Sequence, residues 1–427
     1  MWVQLDIKPT ISNGDVNMPV NLKLIPSPAI KPVAPKWWVW LLILLIMIIV
    51  GINYAIMMKI SKPDMSNIIF WENALELPFL GWAFLLFFRL AWFKGQFNAA
   101  INSDRLREKQ LNRELKRGQR YLNVYGLSLH TAFRTDADTQ GNLQWEALSQ
   151  KKAALKTQPS WLGYRGVRHS RLIRNNKEAV EQLLKRGYAK VLEELSPILA
   201  MMSEETSIAV LLECESHLNS HQIESTFKQC WGDSSIAQPV TRTSGAGLAV
   251  IDQWLDQSSN EKTMLLVLAA QIEPEHPEGT SEAIVGLLLG HSLPVPNLPI
   301  LARLHRPEQS YYTDVKDLEY AIAHSLKWVP ITGESIESGW LVGIHSEHNI
   351  AVATALKSVK SPINIGQDLN NLDAILGYPG CSAPWVAIAC AAQFCRNGKA
   401  QLILSGNRTS APLWATIVSP EGLSTQS

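Results

Sequence analysis

The chain has 427 residues, of which 46% are hydrophobic and only 18% charged, against about 25% charged in an ordinary soluble protein. Residues 121–427 carry 24 Lys and Arg against 30 Asp and Glu, and this net charge of −6 excludes a nucleic-acid-binding body, which would present a basic face. The apolar content and the 15 tryptophans exclude a disordered chain.

The residues that usually bind metals and cofactors are sparse and scattered. His345 and His348 have no third ligand nearby, and the short Gly245–Gly247 stretch lacks the Lys-Ser/Thr pair of a phosphate-binding loop. We therefore expect no metal and no cofactor. The cysteines form no Cys-x-x-Cys pair and predict neither a disulfide framework nor a zinc site, which favours a reducing compartment. They are Cys214, Cys230, Cys381, Cys390 and Cys395.

An apolar segment near the N-terminus has the length of a membrane span. It covers residues 37–58, 22 residues without one charged side chain. At about 1.5 Å per residue, such a helix crosses a hydrocarbon core of about 30 Å. Three tryptophans at its start form the aromatic cluster that is typical of a membrane interface. Residues 1–36 contain six prolines and predict a flexible N-terminal tail.

A second apolar segment, residues 75–93, follows after a short connection. Its charged residues, Glu76 and Arg89, lie near its ends, where long side chains can reach the interface. Residues 94–120 hold eight Lys and Arg and predict a basic juxtamembrane helix. Because basic residues favour the cytoplasmic side, the pattern predicts a two-pass transmembrane hairpin with both termini in the cytoplasm.

Residues 121–427 read as one globular domain in which short apolar strands alternate with amphipathic helices. This alternation predicts an α/β fold with a largely parallel, buried sheet. The predicted strands are Thr206–Glu215, Thr263–Ile272, Ala283–Gly290, Gly339–His345 and Ala400–Gly406. The predicted helices are Lys177–Leu199, Gly245–Leu255, Leu318–Leu326, Asn349–Val359 and Pro384–Arg396.

One segment of this domain, Thr241–Val250, reads Thr-Arg-Thr-Ser-Gly-Ala-Gly-Leu-Ala-Val and precedes an amphipathic helix and a strand. It resembles a turn of the thiolase-like family, which includes the β-ketoacyl synthases. In that family a nucleophilic cysteine heads a buried helix, whose N–H groups stabilise the thiolate and the oxyanion. Thr243 stands where the cysteine would be. The resemblance covers about residues 205–415 and implies a thiolase-like layered α/β body.

A second segment, residues 364–406, resembles the family's C-terminal Lys–Asn–Gly–His turn, small-residue helix and final strands. The match places Tyr378 at the second active-site histidine and Asp373 near the lysine. His345 lies at about the spacing of the first histidine, in a His-Ser-Glu-His context that departs from the family's pattern. Cys–His–His chemistry needs a thiolate and two imidazoles, but these degenerate positions have Thr243 for the cysteine, Tyr378 for one histidine and Asp373 for the lysine. The resemblance therefore implies a pseudoenzyme.

A two-span anchor joined to an inactivated thiolase-like body resembles the type VI secretion lipase-adaptor family. That resemblance implies a non-catalytic adaptor in the bacterial inner membrane. Its protein partner would be a phospholipase effector or a component of the secretion spike, and an acidic body favours basic partner surfaces. Thiolase-like proteins usually pair through a sheet edge, which implies a homodimer.

Two other functions remain open from the sequence. The first is a membrane-bound acyl-transferring enzyme of the condensing-enzyme class, with Cys381 or His345 as the reactive group. The absence of a nucleophile at the predicted helix-heading turn argues against it. The second is a structural membrane scaffold without a specific partner.

Overall fold

The computed structural model describes residues 20, 22, 25–64, 66–174, 178–257, 263–291, 298–310, 314–395, 398–408 and 412–422. The chain divides into two compact units. The smaller unit is Val20–Leu115, and the larger unit contains Lys116–Ser427.

The smaller unit is built from two long helical runs. The first is α1 (Trp37–Ser61), and the second joins α2 (Asn67–Trp71), a π-helical turn (Glu72–Glu76) and α3 (Leu77–Gly118) without a break. Both runs are long and apolar enough to cross a membrane. The π-helical turn ends two residues before Pro78, which cannot donate a hydrogen bond to the preceding turn. The predicted span 75–93 and the basic stretch after it thus form one helix as far as Gly118.

Small residues let the two helical runs approach closely. A Cβ added at Gly51 of α1 would lie 2.4 Å from Pro78 Cγ and 2.8 Å from the Ala74 carbonyl oxygen. Ala55 and Ala74 are fully buried. Small residues at the contact are typical of helices that pack inside a membrane, where close backbone approach replaces the hydrophobic effect as the driving force.

The segment before α1 has no regular secondary structure between residues 26 and 36. Two hydrogen bonds nevertheless connect it to α3. The Ala29 N–H donates to the Asp104 carboxylate over 2.8 Å, and Arg107 Nε donates to the Pro26 carbonyl over 2.7 Å. The N-terminal flank of α1 therefore lies beside the basic part of α3, as an antiparallel hairpin requires.

The larger unit is a mixed α/β body. Its strands are β1 (Tyr121–His130), β2 (Lys156–Gln158), β3 (Val167–His169), β4 (Ser207–Glu215), β5 (Val240–Arg242), β6 (Thr263–Gln271), β7 (Ala283–Gly290), β8 (Ala302–His305), β9 (Glu308–Gln309), β10 (Ser338–Val342), β11 (Leu369–Asn371), β12 (Gln401–Ser405) and β13 (Trp414–Ser419). Its helices are α4 (Asn142–Ser149), α5 (Val180–Ala200), α6 (Ser220–Asp233), α7 (Leu248–Asp256), α8 (Val315–Trp328), α9 (Asn349–Ser358), α10 (Leu372–Ile375) and α11 (Ala383–Phe394).

The sheet contains the same five-strand pattern twice. The first half has the order β5-β4-β6-β7-β1, and the second half has the order β11-β10-β12-β13-β8. Counted in chain order within each half, the second, third and fourth strands run parallel, and the fifth, β7 or β13, is antiparallel to its neighbours. Strands β1 and β8 join the halves antiparallel. The body is therefore an internal duplication, a relationship that the sequence patterns did not reveal.

The prediction of a largely parallel sheet is wrong, because the sheet is mixed. Strands β7 and β13 return directly beside β6 and β12 instead of crossing over. All eight residues of β7 are buried, and an apolar run buried on both faces has the same composition in either direction.

The two halves enclose a shared central layer of helices. Side chains of α7 and α11 belong to one core cluster with strands from both halves. Helices α5 and α6 cover the other face of the first half, and α8 and α9 cover the other face of the second. Since α7 and α11 follow the third strand of their halves, the duplication places two equivalent buried helices at the centre of the body.

Candidate functional site

Two acidic side chains at the end of β4 lie at the N-termini of the central helices. Glu213 accepts a hydrogen bond from the Gly247 N–H over 2.7 Å, directly before α7 begins at Leu248. It accepts a second from Trp385 Nε1 of α11 over 3.1 Å. The side chain therefore occupies the N-terminal end of α7, where unpaired N–H groups and the helix dipole favour an anion. Burial raises the pKa of Glu213, against the effect of these two hydrogen bonds.

Glu215 makes the equivalent contact at α11. Its Oε2 accepts from the Cys381 N–H over 3.2 Å, in the turn Gly380–Ser382 that leads into the helix. Gly380 has a φ of +53°, and a Cβ added there would meet Glu215 Oε2 at 2.2 Å. The carboxylate and the turn are thus in such close approach that a side chain at position 380 has no room.

Gln271 fixes the loop beside this turn. Its Nε2 donates to the Ser281 carbonyl over 2.7 Å and to the Tyr378 carbonyl over 2.9 Å. The Tyr378 N–H in turn donates to the Gly279 carbonyl over 2.9 Å. The backbone of Tyr378 is therefore held on both sides by β6 and by the loop that leads into β7.

The Cys381 thiol lies beside these carboxylates in its protonated form. Its Sγ donates to the Ala270 carbonyl oxygen over 3.3 Å. Burial raises the pKa of the thiol well above its usual value, and the nearby Cys214 and Glu213 act in the same direction. A thiol in this environment lacks the positive surroundings that activate a nucleophilic cysteine.

Arg408 brings together three of the four degenerate active-site positions predicted from the sequence. Its Nε donates to Asp373 Oδ2 over 3.1 Å, and its guanidinium carbon lies 4.8 Å from the centre of the Tyr378 ring. Its carbonyl oxygen accepts from His345 Nε2 over 2.6 Å. Asp373 also accepts from the Gly343 N–H over 3.1 Å. The cluster is therefore an ion pair and a cation–π contact, with the His345 ring bonded through Nε2 to a backbone carbonyl.

The charges of this cluster oppose proton transfer by Tyr378. Burial raises the pKa of Tyr378 to about 12, and Asp373 and Glu215 add to that effect. Burial also raises the pKa of Asp373, although Arg408 and the Gly343 N–H act in the opposite direction. The Tyr378 hydroxyl is therefore protonated at neutral pH, and His345 Nε2 is engaged with a backbone carbonyl.

Thr243 lies apart from the other three positions and does not head α7. Its N–H donates to the Val210 carbonyl over 2.9 Å, and α7 begins five residues later, at Leu248. Tyr378 is bonded instead to Gln271, the register partner of Glu215. Val210 and Glu215 are five residues apart on β4, about 16 Å at the usual strand rise. Among the described residues, no hydrogen bond, ion pair or ring contact joins Thr243 to His345 or Tyr378, and their convergence stays a prediction.

Sequence reasoning missed three residues that make the main charged contacts of this region: Glu213, Glu215 and Arg408. The two glutamates end an apolar strand at i and i+2, which places them on one face of β4, and that spacing was the available signal. Arg408 carries no comparable signal in the sequence. Among the described residues, no group of three or more His, Cys, Asp or Glu side chains is placed to hold a metal ion.

Comparisons with known proteins find similarity in three-dimensional structure but not in sequence. No protein-family model matches the chain, and no curated protein matches it. Among solved structures, the ishigamide ketosynthase/chain length factor has a TM-score of 0.52 at 12% identity, over 71% of this chain and 100% of that one. The PfaC keto synthase–chain length factor has a TM-score of 0.50 at 13% identity, over 70% of this chain, which spans 42% of the PfaC chain. The body therefore has the thiolase-like fold of the ketosynthase condensing enzymes, as the sequence predicted.

Proposed function

We propose that the protein is a membrane-anchored, non-catalytic adaptor whose thiolase-like body binds another protein. The observation that carries the proposal is the position of Glu213 and Glu215 at the heads of α7 and α11. Acyl transfer develops negative charge on oxygen, and an enzyme stabilises it with backbone N–H groups that are free to receive it. Here the Gly247 and Cys381 N–H groups already donate to carboxylates, and the buried Glu213 and the exposed Glu215 oppose any further anion.

The side chains at the other positions support the same proposal. Thr243 has no neighbouring base among its hydrogen-bond partners, and Cys381 is kept protonated. Tyr378 and Asp373 stand where the family has a histidine and a lysine, and Arg408 engages both. A nucleophile, a base and an oxyanion site are the minimum for covalent acyl transfer. We infer that the body retains the thiolase-like fold as a surface that binds another protein and does not catalyse acyl transfer.

The partner that we propose is a lipase effector of a type VI secretion system, or a component of its spike. Support comes from the two apolar N-terminal helices joined to a body with the thiolase-like fold. The substitutions at its active-site positions are part of the proposal. The net charge of −6 over residues 121–427 favours a partner with a basic surface. A second copy of the chain is also proposed to pair at the edge strand β5, whose three residues are exposed.

The test is capture of the partner from native membranes with the full-length tagged chain, followed by mass spectrometry. Variants Thr243→Ala and Tyr378→Phe are expected to insert, capture the same protein and support the same phenotype as the wild type. Thr243→Cys is expected to create no condensing activity, because Tyr378 and Asp373 would still replace the groups that polarise the thioester. Loss of phenotype in Tyr378→Phe with unchanged capture and insertion would contradict the proposal.

A membrane-bound acyltransferase is the second candidate, and one observation favours it. Cys381 lies directly before a buried helix, in the kind of position that the family uses for its nucleophile. If Cys381 forms an acyl-enzyme, a thioester substrate should leave a covalent mass adduct that Cys381→Ala abolishes. The control is Cys390→Ala, because Cys390 is fully buried within α11. We expect no adduct on either protein.

A further inference from the structure

A cavity of about 630 Å³ opens beside residues 171–174, and none of the residues of the candidate site lines it. Its volume is in the range of small-molecule sites. Three cationic side chains, Lys156, Arg171 and Arg174, line it together with apolar side chains that include Ala132, Phe133 and Leu172. The cavity therefore combines a charged wall with an apolar one.

The charges of the cavity wall do not balance. Arg174 contacts two carboxylates, Glu273 at 2.5 Å and the fully buried Glu282. Among the described residues, Arg171 forms an ion pair only with Glu273, at 3.7 Å. Lys156 has no ion pair in the described part of the chain. Three cations against two carboxylates leave the wall with one net positive charge.

Polar atoms on the same wall also lack partners. The Nε atoms of Arg171 and Arg174 are both buried, and neither has a hydrogen-bond partner in the described structure. Leaving a buried charged donor unpaired is costly. Burial lowers the pKa of Arg171, and the neighbouring Arg174 adds to that effect. The Trp161 ring, 5.6 Å from the Arg171 guanidinium carbon, fixes the orientation of that side chain.

We propose that this cavity binds an amphiphilic monoanion, a carboxylate or a phosphodiester with a small apolar body. One negative charge neutralises the wall, and a guanidinium offers paired donors to either oxyanion. The apolar side chains of Ala132, Phe133 and Leu172 contact the rest of the ligand. Neither the proposed adaptor role nor the candidate site is needed for this binding.

The experiment is isothermal titration of the full-length chain in nanodiscs, with empty nanodiscs as the blank. Hexanoate and dibutyl phosphate are the two anionic ligands, and hexanol and hexylamine are their neutral and cationic counterparts. At least one anion is expected to bind with a dissociation constant below about 1 mM, the range of weak small-ligand binding. The tighter anion identifies a carboxylate or a phosphodiester as the ligand class.

The variant Arg171→Gln is expected to weaken binding of that anion at least about tenfold, because it removes a charge-assisted hydrogen bond. Arg168→Gln is the matched control: Arg168 is exposed, lies on β3 and does not line the cavity, so affinity should not change. If Arg171→Gln does not fold, Lys156→Gln replaces it, since Lys156 is exposed. The proposal is overturned if hexanol binds as tightly as hexanoate, if neither anion binds below about 1 mM, or if the charge-removing variant binds like the wild type.

Discussion

At the scale of single residues, Arg408 holds a cluster whose members come from distant parts of the chain. It is the only cation in contact with Asp373 among the described residues, and that carboxylate is 10% exposed. Arg408 itself has a left-handed backbone, with a φ of +58°, held by an N–H bond to the Gly343 carbonyl. A backbone strained in this way persists only where its surroundings fix it. The pair is therefore structural, and its removal should be visible in stability.

We predict that Arg408→Met destabilises the body by about 2 kcal/mol, because Asp373 then keeps a buried charge without its cation. The double variant Arg408→Met/Asp373→Asn should recover most of the loss, since it removes the uncompensated charge as well. Thermal unfolding of the full-length chain in detergent, followed by tryptophan fluorescence, measures both. Equal destabilisation of the single and double variants would contradict this account.

Glu308 makes the stability of the folded chain depend on pH in a defined direction. Burial raises its pKa from 4.5 to about 7, Asp252 acts in the same direction, and Trp328 Nε1 donates to it over 3.0 Å. Between these two values the folded state binds more protons than the unfolded state, so this group's contribution to stability falls as pH rises.

We predict that Glu308→Gln, which keeps an acceptor for Trp328, stabilises the chain at pH 8 by about 3 kcal/mol and leaves it unchanged near pH 4.5. Unfolding midpoints of the variant and the wild type at pH 5, 6, 7 and 8 provide the measurement. A difference between the two proteins that does not grow with pH would show that Glu308 is not the titrating group.

At the scale of elements, the contact between α1 and the second helical run depends on a single missing side chain. Gly51 packs against Pro78 and the Ala74 carbonyl, at distances that exclude a Cβ. Gly95 lies on α3 with nothing within 4 Å of an added Cβ. The two glycines are therefore a matched pair, one at a contact and one in open space.

We predict that Gly51→Leu separates the two helical runs and lowers the unfolding temperature of the smaller unit, because steric overlap with Pro78 cannot be relieved within a packed pair. Gly95→Ala should be neutral or stabilising by up to about 1 kcal/mol, the difference in helix propensity. Cross-linking by a short bismaleimide between cysteines placed at Met47 and Gly81 reports the packing, because Met47 Cε lies 3.2 Å from a Cβ added at Gly81. Cross-linking that survives Gly51→Leu would contradict the role of Gly51.

At the scale of the whole molecule, the proposal depends on which side of the membrane the body occupies. We predict that reporter fusions after Arg120 and after Ser427 lie in the cytoplasm and that a fusion at Asp64 lies outside, because the basic residues of 94–120 follow the second span. Paired cytoplasmic and periplasmic reporters show on which side of the membrane each fusion point lies. A periplasmic signal after Ser427 would overturn the hairpin and, with it, the expectation of a reducing compartment.

The distribution of charge and apolar residues along the chain was enough to predict much of this architecture. Four of the five predicted strands end within one residue of the observed ones, and the fifth, predicted to His345, ends at Val342. Strands and helices carry their own periodicity, and a long apolar run without charge has few alternatives to a span. The resemblance at Thr241–Val250 and at residues 364–406 indicated the thiolase-like fold, although it did not locate α7's first residue.

Only the tertiary structure decided the direction of β7 and β13, the duplication of the two halves and the chemistry of the central helices. The contacts that matter join residues far apart in the chain: Glu215 and Cys381 are separated by 166 positions, and Glu213 and Trp385 by 172. Local pattern assigns a side chain to a face of its strand, but it carries no information about which helix terminus that face will meet. The acidic side chains at the heads of α7 and α11 are therefore a property of the folded chain.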